Sequence, residues 1–402
     1  MSALEHPFVH SILAGASDAA QLFGDTELPI ARDEDWRFSN TRGLYAMRFL
    51  GKSAEADAGI TVLAESQKSH ALTSNGKMIS HVGSGFEVGP LSSLSEASQA
   101  MVKDHIGNVA PWDDAFSRLN SWLVSEVICV VVPPKTVLEE PIHLAHWASG
   151  NGASGIRTIV VAGRESQFTI VEDFRGEGAY FRNAVTECVI GANAHVTHIR
   201  AQQESPKAAH ILRTGVRLTE AAHYDSYTVS VGAVWSRHDL MARHEGVGAF
   251  CRIDGLVLAS GEQTSDTHST IDNTKEHCES HQLHKSIVGG KGHSIFNGKI
   301  LVQKGAQKID AYQLNRSLLL SRTARVDTKP QLEILADDVR CTHGATIGQL
   351  DEDQLFYLRS RGFDADAARG MLTYAFAGEI LEQIKVPELR ARLEAVAHSH
   401  IH

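Results

Sequence analysis

The sequence lacks several features that would mark common protein classes. No stretch of its 402 residues approaches the roughly 18–20 apolar residues that a membrane span needs. The first 24 residues have no basic start followed by an apolar run, so we expect no signal peptide. Lys and Arg number 38 against 48 Asp and Glu, and this acidic balance argues against a nucleic-acid-binding surface.

The sequence is also poor in cysteine motifs and phosphate-binding loops. Its five cysteines lie far apart and form no CxxC pair, so we expect reduced thiols in a cytoplasmic compartment. The run Gly289-Gly290-Lys291-Gly292 lacks the spacing of an ATP-binding loop. The chain is therefore not expected to bind or hydrolyse ATP.

What the sequence does contain is a long series of short strand-like runs. Residues 1–125 have a mixed pattern that includes two helices, predicted near 92–106 and 113–123. From residue 127 to 350, runs rich in Val, Ile, Thr and aromatics alternate with Gly, Asn and Asp breaks. The predicted strands are 127–132, 157–161, 167–171, 184–190, 195–201, 224–231, 250–258, 294–302 and 331–335.

Small residues recur ahead of several of these strands, at intervals of roughly 18–28 residues with one longer gap. They are Asn193-Ala194, Ala221-Ala222, Gly248-Ala249, Gly305-Ala306 and Thr323-Ala324. A chain that bends sharply once per turn needs such corners, which favours a β-solenoid. A β-sandwich would also give many short strands. We predict a mainly β protein with an N-terminal mixed and helical region (1–125), a β-helix core (126–350) and a C-terminal helical domain (351–402).

The last 50 or so residues read as three helices. Asp351 and Asp364 are placed as N-caps, Gly362 as a terminator and Pro387 in a first turn. Helices in this position either cap the open end of a solenoid or offer a docking face.

Two segments contain candidate metal ligands. The first holds His268, His277, Cys278, His281 and His284. His277 and His281 would share one face of a helix, but the surrounding Gly, Ser and Asn favour extended structure, in which these side chains diverge. We therefore expect no stable metal site there.

The second segment is Cys341-Thr342-His343. Alternate residues of a strand face the same side, so a thiol and an imidazole would project together, a pair suited to iron or an iron–sulfur species. Two ligands cannot hold a cluster alone, which predicts an open site shared with a partner. A structural pair, or a nucleophilic Cys–His pair oriented by Asp337 or Asp338, is the alternative.

The run from residue 326 to 362, VDTKPQLEILADDVRCTHGATIGQLDEDQLFYLRSRG, resembles the SufD members of the SufB/SufD family of the SUF iron–sulfur cluster assembly system. Further similarity lies at 296–300, 306–308, 310–313 and 280–285, with weaker similarity at 36–38 and 116–120. The Cys-Thr-His-Gly-Ala-Thr segment fits SufD better than its paralogue SufB. Asn273 and His284 depart from the family pattern, so the histidines of that segment are not counted as ligands.

The resemblance implies a right-handed parallel β-helix with helices at both ends. It implies a non-enzymatic scaffold that pairs with SufB and docks the ABC-type ATPase SufC through its C-terminal helices. His343 matches the position implicated in building a transient cluster shared with SufB, and Cys341 is the neighbouring thiol. Whether reduced flavin binds the complex, and whether the chain pairs with itself without SufB, is left open.

Two other functions stay open on sequence grounds. One is a purely structural docking subunit without ligand residues. The other is a carbohydrate-acting β-helix enzyme, which would use paired carboxylates. Its best pair, Asp337 and Asp338, is adjacent in sequence and would point to opposite faces of a strand.

Overall fold

The strand-rich region forms a parallel β-solenoid of about eight turns, seen in a computed structural model that describes residues 3, 6–13, 23, 26–110 and 112–401. Each turn gives one strand to each of two facing sheets, one of ten strands and one of nine. The prediction of a mainly β protein with a parallel β-helix core is confirmed.

The strands are β1 His70–Ser74, β2 Lys77–Val82, β3 Glu87–Pro90, β4 Val127–Val132, β5 Ile142–Gly150, β6 Ala153–Ala162, β7 Gln167–Gly178, β8 Phe181–Ile190, β9 His195–Glu204, β10 Ala209–Leu218, β11 His223–Gly232, β12 Trp235–His244, β13 Phe250–Ala259, β14 Thr264–Asn273, β15 Glu279–Val288, β16 His293–Val302, β17 Ile309–Leu319, β18 Arg325–Ile334 and β19 Val339–Gly348. The helices are α1 Pro7–Ile12, α2 Thr41–Ala46, α3 Glu96–His105, α4 Ala115–Leu123, α5 Glu352–Ser360, α6 Ala365–Leu381 and α7 Pro387–Ile401, with 3-10 turns at Glu34–Trp36, Ala64–Ser66 and Leu91–Ser93.

The repeat length of the central turns lies at the upper end of the interval predicted from the sequence. In the ten-stranded sheet Ile170 pairs with His198, and His198 with Ser226, 28 residues apart each time. Toward the C-terminus the step grows, and Gln282 pairs with Gln313, which pairs with His343. The upper end of the predicted interval is correct for the central turns, and the interval of 18 residues is too short because Thr323-Ala324 belongs to the opposite corner, between β17 and β18.

One corner of the solenoid repeats the same left-handed backbone conformation. The residues with positive φ at this corner are Lys135, Glu165, Asn193, Ala221, Gly248, His277 and Lys308. Each donates its backbone N–H to a carbonyl of the next turn, as Asn193 does to Glu220 at 2.9 Å. The following Ala194 and Ala222 are fully buried, so only a small side chain fits there. Gly305-Ala306 lies at this same corner, between β16 and β17, and Ala306 is fully buried like Ala194. Thr323-Ala324 lies at the opposite corner, between β17 and β18.

The N-terminal region closes one end and one side of the solenoid. Its predicted helices are α3 and α4, begun by Ser95 and Asp114 as N-caps. The list of predicted strands lacks β1 to β3 and also β5, β10, β12, β14, β15, β17 and β19 of the core. The strands β1 and β3 extend the two sheets through pairing with β5 and β4. Trp36 packs under the Arg237 guanidinium, 3.9 Å from ring centroid to Cζ, which gives this ring a structural role.

The C-terminal helices α6 and α7 pack against the outer face of the ten-stranded sheet, with Ile380, Leu389 and Leu393 fully buried against strand residues. They therefore cover a flank and leave the end formed by β18 and β19 uncapped. Asp351 and Asp364 are N-caps, as predicted, accepting hydrogen bonds from the backbone of Gln354 and Ala367. Among the described residues, no helix has the length and apolar character needed to cross a membrane.

Candidate functional site at the open end of the solenoid

Strands β18 and β19 are the last strands of the two sheets. Within the described part of the chain, no strand pairs with their outer edges. Their residues are mostly exposed or half-buried, in contrast to the buried strands of the central turns. Unpaired backbone N–H and C=O groups on such an edge can accept a strand from another chain. The side chains at this end of the molecule are therefore accessible, and the backbone groups on the outer edges of β18 and β19 are available for hydrogen bonds with another chain.

Cys341 and His343 lie on β19, in register with Ala311 and Gln313 of β17. Ala311 and Gln313 are buried and face the solenoid interior. In a parallel sheet, paired positions face the same side, so the thiol and the imidazole are on the inward face of the last turn. Cys341 is half-buried against the core, whereas His343 is exposed because none of the described residues forms a further turn over it.

The residue beneath His343 is polar and lacks partners. Gln313 is fully buried, and neither its amide nitrogen nor its amide oxygen makes a hydrogen bond. One turn further in, Gln282 accepts a hydrogen bond from the Ser269 hydroxyl at 2.7 Å. Sequence reasoning missed Gln313. The only signal in the sequence is that Gln313 precedes His343 by one turn of the solenoid, and this spacing has a meaning only when the repeat length is known.

The comparisons with known proteins agree with this architecture. The model of the family described as "SUF system FeS cluster assembly, SufBD core domain" matches residues 146–376. The chain belongs to the SufBD family. It is 36% identical to an iron–sulfur cluster assembly SufBD family protein of Synechocystis, over 93% of this chain and 88% of that protein. It is 32% identical to the iron–sulfur cluster assembly protein SufD of Escherichia coli, over 92% and 88% of the two chains. The chloroplastic protein ABCI7 of Arabidopsis thaliana is also 32% identical, over 92% and 82%.

The geometry of this SufBD family member does not favour a nucleophilic Cys–His pair. Burial, together with the negative charge of Asp310, raises the pKa of the Cys341 thiol, which disfavours the reactive thiolate. Asp338, a proposed orienting group, is engaged elsewhere, forming an ion pair with Lys308 and accepting that residue's backbone N–H. No hydrogen bond joins Cys341 to His343 in the described residues, so acyl transfer lacks its required contact.

The histidines of the 266–285 segment are dispersed, as predicted, because the segment forms β14, β15 and the corner between them. His268 is paired with Asp266, and His281 with Glu279. His277 is the left-handed corner residue, and Cys278 is buried behind it. His284 points inward and packs against Phe296 in a tilted arrangement, with 4.3 Å between ring centroids.

The central turns contain a buried network of charged side chains. The Glu172 carboxylate accepts hydrogen bonds from Thr186 at 2.7 Å and Arg200 at 2.8 Å, and it contacts His198 at 3.0 Å. Burial alone would raise the pKa of Glu172, but Arg200 and His198 hold it well below its usual range. The carboxylate therefore stays ionised inside the solenoid and links the three consecutive strands β7, β8 and β9.

A second exposed surface lies on α5 and the start of α6. Of the nine described residues of α5, only Leu355 is buried, while Phe356 is 73% exposed and Tyr357 is 56% exposed. Phe363 and Met371 are also exposed. Tyr357 and Leu372 line one shallow, mostly apolar groove. We call these exposed side chains, Phe356, Tyr357, Phe363 and Met371, the helical apolar patch. Several large exposed apolar side chains within one short segment are typical of protein–protein contact sites.

Proposed function

We propose that this chain is a non-enzymatic scaffold subunit that builds and hands on nascent iron–sulfur clusters together with SufB and the ATPase SufC. The observation that carries the proposal is the uncapped β18–β19 end, with His343 exposed on its inward face. Membership of the SufBD family supports the same function.

The open end fits a partner that is itself a solenoid. Among the residues that the structure describes, the outer edges of β18 and β19 are unpaired. An incoming chain with two matching edges could extend both sheets at once through main-chain hydrogen bonds. SufB, which shares the β-helix core, has that geometry. The same edges would support pairing with a second copy of this chain when SufB is absent.

The cluster is the cargo of this site and is held only in part by this chain. His343 offers an imidazole from the inward face, and Cys341 offers a thiol two residues away. Iron–sulfur clusters need about four protein ligands, so the partner must supply the rest. Partial ligation keeps the cluster labile, and the unpartnered Gln313 amide provides a polar wall behind it. His343 is the stronger ligand because Cys341 is half-buried against the core.

The helical apolar patch is the proposed docking site for SufC. Movement of SufC would be transmitted to the solenoid through α6, because two residues of α6 contact Lys285 of β15. The Lys285 ammonium donates a hydrogen bond to the Phe376 carbonyl at 2.9 Å and forms an ion pair with Glu379. A further ion pair joins Arg392 of α7 to Asp173 at 2.6 Å. These contacts couple the docking surface to the sheet whose last strand is β19.

The remaining parts of the proposal concern catalysis and compartment. ATP hydrolysis is assigned to SufC, and this chain carries out no catalysis of its own. All five cysteines are free thiols and four of them are buried, which supports a reducing, cytoplasmic location.

A reconstitution experiment tests the proposal. The chain is co-purified with SufB and SufC, supplied anaerobically with iron and sulfide, with and without reduced flavin, and the visible absorption of the cluster is recorded. We expect His343→Ala to form the intact complex but to lose most cluster formation, and Cys341→Ser to lose less. Thr342→Ala, on the opposite face of the same strand, should behave like wild type.

The purely structural docking subunit is the second candidate, favoured by the half-buried position of Cys341. The same experiment separates the two functions. If His343→Ala in an intact complex assembles and transfers clusters at the wild-type rate, the ligand function is wrong and the docking function stands.

A further inference from the structure

A cluster of metal-ligand side chains lies on the outer face of the ten-stranded sheet, away from the open end. His195 of β9 and His223 of β11 occupy paired positions on adjacent turns. Asp225 follows His223 by two residues and shares its face. The ligand atoms of the three residues all lie within 4.8 Å of one another.

The two imidazoles converge on a single carboxylate oxygen. His195 Nε2 lies 3.1 Å and His223 Nε2 lies 3.0 Å from Asp225 Oδ2. Metal bonds to His nitrogen and carboxylate oxygen of about 2.0–2.2 Å place ligand atoms of one ion about 3.0–3.5 Å apart. The observed contacts are therefore close to those of a coordination sphere, and a small rotation of the side chains would admit an ion.

The backbone holds these side chains in place before any ligand binds. The strands on which they lie follow the repeated corner of the solenoid, with Asn193 and Ala221 in the left-handed conformation two residues before each histidine. Parallel pairing of β9 and β11 then sets the spacing of the two rings, whose centroids are 4.0 Å apart. A preorganised set of ligands loses little conformational entropy on binding.

The surroundings leave the cluster accessible on one side. The side chains of His195 and His223 are 42% and 36% exposed, and that of Asp225 is 15% exposed. Phe250 stacks on His223 at 4.3 Å between ring centroids, which fixes that ring. The Arg252 Nε atom lies 3.9 Å from the other carboxylate oxygen, Asp225 Oδ1, beyond hydrogen-bond distance.

We propose that His195, His223 and Asp225 bind a divalent transition metal, Zn²⁺ or Fe²⁺, with the remaining coordination positions open to water or to a partner side chain. Two imidazoles and one carboxylate on one side of an ion are the ligand set of open, exchangeable sites for these metals. The sequence carries the signal as two Ala-His pairs, at 194–195 and 222–223, one turn apart with an acidic residue two positions after the second.

This site is separate from the proposed cluster end. Four strand spacings separate β11 from β19 in the sheet, which corresponds to about 19 Å. Loss of metal binding at one location therefore leaves the other intact, and the two proposals can fail independently.

The test uses the full chain, freed of metal with a chelator. Zn²⁺ affinity and stoichiometry are measured by competition with a chromophoric chelator, and Co²⁺ is titrated for its visible ligand-field absorption. The sequence ends in His398-Ser399-His400-Ile401-His402, which can itself bind metal, so the site is read as a difference between variants. The variants are the His195→Gln/His223→Gln double substitution and, separately, Asp225→Asn. The control is His281→Gln, a half-exposed histidine on the same face with a single carboxylate partner, Glu279.

We expect the double variant to lose one equivalent of tight Zn²⁺ and the matching Co²⁺ absorption. Asp225→Asn keeps a hydrogen-bond acceptor for the two rings and should weaken the site at least tenfold without loss of fold. His281→Gln should match wild type. The proposal is overturned if wild type and Asp225→Asn bind Zn²⁺ with equal stoichiometry and affinity, or if His281→Gln causes the same loss as the double variant.

Discussion

The buried carboxylate of Asp254, beneath the C-terminal helices, makes the stability of the protein depend on pH in a way that can be measured. Asp254 of β13 is 7% exposed, and one of its oxygens accepts the Leu283 backbone N–H at 3.0 Å. Burial raises the pKa of Asp254 from 3.8 to about 7, although the nearby Arg252 acts in the opposite direction. The folded state therefore holds a proton that the unfolded chain releases. This contribution to stability is fully present below pH 3.8 and is lost as the pH rises through about 7.

The magnitude follows from the difference between the two pKa values. About three pH units correspond to ~4 kcal/mol, and water reaching the ionised carboxylate reduces this to roughly half. The variant Asp254→Asn keeps an oxygen acceptor for Leu283 and cannot ionise. A chain of this length has an unfolding entropy near ~0.8 kcal/mol/K, so ~2–4 kcal/mol shifts Tm by about 2–5 °C.

Thermal unfolding followed by circular dichroism at pH 4.5 and pH 8 measures this effect. We expect Asp254→Asn to melt about 2–5 °C above wild type at pH 8 and close to wild type at pH 4.5. The matched control is Asp337→Asn, an exposed position, which should show no such difference between the two pH values. An equal change in Tm at both pH values, or a lower Tm for Asp254→Asn at pH 8, would refute the reasoning.

Two further predictions test the interior network and the helical patch. Glu172→Gln leaves Arg200 buried without its carboxylate partner and should lower the free energy of unfolding, measured in urea, by about 3–5 kcal/mol. The control Glu177→Gln, at an exposed position, should stay within about 0.5 kcal/mol of wild type. Equal losses in the two variants would contradict a stabilising role for the buried Glu172–Arg200 pair. Phe356→Ser removes a ring that is 73% exposed, so it should leave Tm unchanged while weakening co-purification with SufC at least tenfold. If the Phe356→Ser/Tyr357→Ser double variant binds SufC as well as wild type does, the docking site lies elsewhere.

The sequence predicted local features well because local chemistry decides them. Asp351 and Asp364 cap helices in the structure as their positions indicated, since an N-cap needs only a side-chain oxygen and nearby backbone N–H groups. Val127–Val132 is the strand that was predicted, from its run of β-branched residues. The existence of a solenoid also followed from small residues at recurring corners such as Asn193-Ala194.

The features that could not be predicted depend on register. Which residues stack across turns is set by a repeat of varying length, and a change of one or two residues moves a side chain to another column. The pairing of Gln313 with His343, and of His195 with His223, is therefore invisible until the strands are aligned. Among the strands that were missed, β1 to β3 of the N-terminal region are short, and they form by pairing with distant solenoid strands.

The place of His343 in the repeat explains why a solenoid end is suited to a shared site. The same inward column holds Ile170, His198 and Ser226 in the central turns, and all of them are buried by the turns above and below. Only at the last turn does an inward-facing residue of this column become exposed without any change in backbone conformation. A ligand placed there is held as rigidly as a core residue, yet it points at whatever chain extends the sheets. A histidine one turn earlier, in place of Gln313, would be buried in the interior, and one on the outer face would point away from any chain that extends the sheets. The proposed site thus needs both the repeat and its termination, and a second solenoid would complete it.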